Sequence, residues 1–120
     1  VAGADTRRAA LEAAWLTLTR ETLPGLAGLR MWPVRADHCF QRILLDAAVG
    51  GVWYDVVEGR PAYRFIAVDL LERAVSLGQG AADGTVDLAA LNRQSLAWRR
   101  ERKAAAPPDA LISGVGPPYR

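Results

Sequence analysis

The single histidine and the single cysteine of this sequence stand side by side, as His38 and Cys39. They lie in residues 31–63, MWPVRADHCFQRILLDAAVGGVWYDVVEGRPAY, which also hold two of the four tryptophans. Three chemistries could be built from these types. A thiol near the start of a helix is favoured as thiolate by the unpaired backbone N–H groups and the dipole there. With His38 as base and Asp46 as orienting carboxylate, Cys39 has the ingredients of a nucleophile. The spacing works against them: consecutive helix positions diverge by about 100°, and Asp46 follows two turns later. The competing expectation is a buried cysteine packed beside Ile43. Cys39, His38 and Asp46 are therefore the catalytic candidates of a chain expected to have no catalytic residue. No metal site is expected either, because Asp37, Cys39 and Asp46 are the only local donors beside His38 and there is no second histidine.

The third chemistry is recognition. Trp32, His38, Arg42, Asp46, Trp53 and Tyr63, with Tyr54 and Arg64 near them, are of the types enriched where proteins bind ligands or partners. The opposing expectation is that a small helical domain with few phenylalanines fills its core with these rings. A separate candidate is the basic run Arg93, Arg99, Arg100, Arg102 and Lys103, set against Glu101 alone. Its local balance is +4 in a chain of net charge +2. It could meet phosphate or an acidic partner, and Asn92, Arg93, Gln94, Arg99 and Arg100 are types that read base edges. The plainer expectation is a solvated helix end whose cations suit the dipole.

These residues need elements to hold them. Leu11, Trp15 and Leu18 recur at helical spacing, so residues 5–22 read as an amphipathic helix capped by Asp5 or Thr6 and stopped at Pro24 and Gly25. A connector through Trp32 and Pro33 follows. Asp37 is then expected to cap a second helix, in which Phe40, Ile43, Leu44 and Ala47 pack while His38, Arg42 and Asp46 step along another side; Gly50 ends it. Residues 52–65 read as an irregular aromatic-rich loop or one more short helix. A third helix is expected over residues 68–77, loosened by Gly78, Gly80 and Gly84. The last starts at Thr85 or Asp87 and places Leu88, Leu91, Ser95 and Trp98 on one side. Beyond it, the prolines at 107, 108, 117 and 118 lead to a flexible tail.

The expected architecture is all-α: one domain of four main helices over residues 5–103 and a tail over 104–120. At 120 residues and 51% hydrophobic content the chain falls in the ordinary globular range for one core. No apolar run reaches membrane-spanning length and residues 1–10 do not carry the apolar block of a secretory signal, so a cytoplasmic protein without membrane contact is expected. A lone cysteine rules out an internal disulfide.

WPVRADHCFQRILLDAAVGGVW, RPAYR and DLAALNRQSLAWR together resemble a family of short, uncharacterised bacterial proteins. Some of its members are labelled as relatives of the Gcn5-related N-acetyltransferases. The resemblance spans roughly residues 11–103. It implies acetyl-CoA as cofactor if the label holds; otherwise no cofactor is expected. From the residues themselves, a non-catalytic binding or interaction module is expected, with a protein partner or small ligand. A small transferase, a thiol enzyme using Cys39 and a nucleic-acid binder are the alternatives.

Overall fold

The computed structural model describes residues 2–105, and these are all-α with no strand among them. The helices are α1 (Ala2–Thr17), α2 (Leu23–Ala27), α3 (Asp37–Val49), α4 (Ala62–Phe65), α5 (Val68–Asp83) and α6 (Leu88–Ala104). Four of them are long, and the other two are single turns. The tail expected from residue 104 lies outside the described residues from 106 onwards, and Ala104 itself still belongs to α6. Among the described residues no helix is long and apolar enough to cross a membrane.

The first helix does not stop at Pro24. A π-helical turn, Leu18–Thr22, joins α1 to α2, with the Leu23 N–H donating to the Leu18 carbonyl five residues back. A proline inside an α-helix lacks the N–H for residue i−4 and crowds its carbonyl. Here the widened turn restarts the helix just ahead of Pro24, so proline falls at its start, where that N–H is not needed. The helix also begins earlier than its expected caps, since Ala2 is already helical. Within the π turn Thr19 is fully buried, and its hydroxyl donates to the Trp15 carbonyl at 2.9 Å.

Two further boundaries differ from the sequence pattern. The capping position of α3 is Ala36, while Asp37 sits in the first turn and accepts from the His38 N–H at 2.7 Å. Helix α5 runs through Gly78 and Gly80 to Asp83, because both glycines are sites of close packing instead of loosening. A Cβ on Gly78 would stand 2.3 Å from Leu18 Cδ2, and one on Gly80 2.4 Å from Val86 Cγ2. The end of α3 at Gly50 (φ 78°) and the start of α6 at Asp87, whose carboxylate accepts from the Ala90 N–H, follow the expected pattern.

Helix α3 is central. It packs on α5, α6 and the π turn, and Phe40, Ile43 and Leu44 are fully buried among Trp15, Leu18, Leu23, Leu71 and Ala74. Residues 52–65 form a 3-10 turn at Trp53–Asp55 and then α4, as one of the two expected forms of that stretch. Two arginines fasten the connections. Arg8 donates to the carbonyls of Tyr63 within α4 and of Ile66 just after it, and Arg30 donates to those of Ala81 and Ala82 at the end of α5.

Candidate functional site

On one face of α3, at i, i+3, i+4 and i+7, stand His38, Gln41, Arg42 and Leu45. They form one wall of a pocket of about 300 Å³. Trp53 from the 3-10 turn, Arg60 and Pro61 just ahead of α4 and Ala62 and Tyr63 at its start make the other wall, and Trp15 of α1 also contributes. The volume is at the lower end of the range for ligand pockets. Arg60 lies over the Trp53 ring, 5.0 Å from its centre.

Each wall is held from behind. Gln41 donates to the Thr19 hydroxyl at 3.0 Å, so the buried π turn orients it. The two terminal nitrogens of Arg42 donate to Ser95 Oγ at 2.7 Å and Asn92 Oδ1 at 2.8 Å, both on α6. Trp53 is placed through its backbone N–H, which donates to Asp46 Oδ1 at 3.0 Å. The position of Tyr63 follows from its carbonyl's bond to Arg8.

Asp46 itself does not line the pocket. It is fully buried behind the pocket, where it accepts from Ser95 Oγ at 2.6 Å and from Arg99 twice, at 2.8 and 3.1 Å. Those bonds hold Arg99 charged more firmly than usual, against the smaller cost of partial burial. Every buried polar side-chain atom among the described residues has a partner, as a network in a low-dielectric interior requires.

Trp32 is also absent from the pocket. It packs edge-on against Phe40, ring centres 5.7 Å apart, beneath Arg30. His38, Arg42, Trp53 and Tyr63 are thus brought together, while Trp32 and Asp46 serve packing and the internal network. The catalytic candidates are not assembled: Cys39 lies outside the pocket lining, His38 projects into solvent beside Asp37, and Asp46 is enclosed. Among the described residues no group of three or more histidine, cysteine or acidic side chains could hold a metal ion.

The basic run is smaller than its composition. Arg99 belongs to Asp46, and Arg102 makes a two-pronged pair with Asp55, with both guanidinium groups stacked near Tyr54. Asn92, a candidate base reader, is buried as the acceptor for Arg42. Arg93, Arg100 and Lys103 remain exposed.

Gln41 and Arg60 were not among the residues singled out. Gln41 had a signal, since it follows His38 by three on the same helical face. Arg60 had none, because only the docking of the α4 segment brings it over Trp53. A wider hollow of about 570 Å³ lies between α1 and α5, but alanines, Thr17, Leu18, Thr22 and Gln79 dominate its wall, and its one charged group, Asp83, is bonded to Thr85. The smaller pocket is the better candidate because it concentrates orienting polar groups. Comparison with known proteins finds no matching family model, no matching curated protein and no matching solved structure.

Proposed function

We propose that this chain is a non-catalytic module that binds a small ligand in the pocket between α3 and the α4 segment. The observation that carries the reading is the convergence of His38, Gln41, Arg42, Trp53, Arg60 and Tyr63 from separate stretches onto one concavity. Polar groups that fix orientation around an apolar, aromatic wall are what a recognition site needs. For the transferase alternative the support is thinner, because residues 79–84, which come nearest to a pyrophosphate-cradling turn, are the last turns of α5 and its glycine cap.

The test is a protein-observed NMR screen of the full chain with single-ring fragments, anionic and neutral, and with acetyl-CoA. Expected are shifts clustered at the Trp53 indole, Gln41 and Tyr63 signals with some fragments, lost in Tyr63→Ala while the melting curve stays cooperative. Fragments that shift nothing in the pocket would end the reading. Saturable shifts with acetyl-CoA at residues 79–84 would put the transferase in its place.

A further inference from the structure

The charges around the pocket do not balance locally. The network behind it contains two guanidinium groups, Arg42 and Arg99, and one carboxylate, Asp46. Arg99 takes both oxygens of that carboxylate, while Arg42 is left with two neutral acceptors, Ser95 and Asn92. Arg42 is half-buried. A guanidinium partly withdrawn from water and served by neutral partners keeps an unmatched charge, and only two of its five N–H donors are used. Arg60, across the pocket, has no acidic partner among the described residues and rests on the face of Trp53. No acidic side chain lines the pocket.

We propose that the pocket takes a small organic anion, a carboxylate or phosphate on a single-ring apolar body, with Arg42 and Arg60 holding the charged group and Trp53 and Tyr63 flanking the body. The proposal rests on the binding reading above and narrows it to a ligand class. Two arginines lining one space, Arg42 with N–H donors still unused, favour a group with several acceptor oxygens, because charge-assisted hydrogen bonds are shorter and stronger than neutral ones. The aromatic wall and the small volume leave room for one ring and not for a nucleotide-sized body.

Matched probes test this: benzoate against benzamide, and phenyl phosphate against phenol, titrated into the full chain while the Trp53 and Tyr63 signals are followed. At least one anion should bind about ten-fold or more tightly than its neutral counterpart, the scale of one charge-assisted bond, and which anion does so separates a carboxylate site from a phosphate site. Arg60→Gln should remove most of that preference. Arg60 is exposed and outside the buried network, so this variant keeps the fold. Arg60→Lys should restore part of the preference. Raising the salt should weaken the anion and leave the neutral probe unaffected. Equal binding of anion and neutral probe would overturn the anion proposal and leave the binding reading standing. No binding by any probe of either kind would remove both, and an anion preference unchanged in Arg60→Gln would overturn the assignment to this pocket.

Discussion

Asp46 shows how one residue type can serve opposite ends. In the sequence it steps four residues on from Arg42 and looks available to a ligand; in the fold it is a buried acceptor that joins α3, α6 and the 3-10 turn. Removing it strands Arg99 and leaves the Trp53 N–H and the Ser95 hydroxyl without their acceptor. Asp46→Ala should therefore cost about 3 kcal/mol by urea unfolding, near the lower end for a broken buried pair because Arg99 is partly exposed. Asp46→Ala with Arg99→Ala should cost clearly less than the two single changes added together. Strict additivity would mean that the pair is not coupled.

The exposed pair beyond it behaves differently. The Arg102 hydrogen bonds hold the Asp55 carboxyl below its ordinary 3.8, outweighing the opposing effect of desolvation. The folded chain thus binds this proton less readily than the unfolded chain. The contribution is present above 3.8 and is lost as pH falls below it through the folded value. Half exposure of both side chains keeps it small. In Arg102→Gln, stability measured against pH should fall less steeply below 3.8. An identical acid limb in variant and parent would show that the pair does nothing for the fold.

At the scale of elements, apolar periodicity located the four long helices because burial of one face is a local sequence property. Their ends were less legible. Gly78 resembles a helix loosener by propensity, yet it stands where an added Cβ would collide with Leu18 and crowd Leu44. Gly78→Ala should destabilise by about 1 kcal/mol or more, since overpacking a buried crossing outweighs the gain in helix propensity. Gly25→Ala, in α2 with nothing within 4 Å of its added Cβ, should stabilise by roughly 0.5–1 kcal/mol. Urea midpoints of the two variants moving in opposite directions would bear this out; the same direction for both would contradict the packing argument. The passage through Pro24 was equally illegible, because a π turn depends on what surrounds it, here the buried Thr19 and its bond to Gln41.

For the whole molecule, the way α6 is fastened has consequences. Helices α3 and α5 meet through buried aliphatic side chains, whereas the buried positions of α6 are Leu88, Asn92 and Ser95. A helix with so few buried apolar groups relies on the Asp46–Arg99 and Arg42–Asn92–Ser95 bonds, and local opening follows low apolar contact. The amides of α6 should exchange with solvent before those of α3 and α5, and Asp46→Ala should accelerate α6 selectively. Uniform exchange across the three helices would show that α6 is part of the same cooperative unit.

The sequence alone determined that this protein is all-α, that its main helices fall near their observed places and that Trp15, Phe40, Ile43 and Leu44 are core, because spacing and side-chain type act along the chain. It also brought His38, Arg42, Trp53 and Tyr63 to notice. Tertiary structure decided which of the noticed residues share a pocket. Arg60 enters it, Trp32 and Asp46 leave it, and Arg99 and Arg102 are withdrawn from the basic run. The reason is that an ion pair or a pocket wall is set by distance in space. Asp46 and Arg99 are 53 positions apart in the chain and 2.8 Å apart in the fold, and no periodicity in the sequence records that meeting.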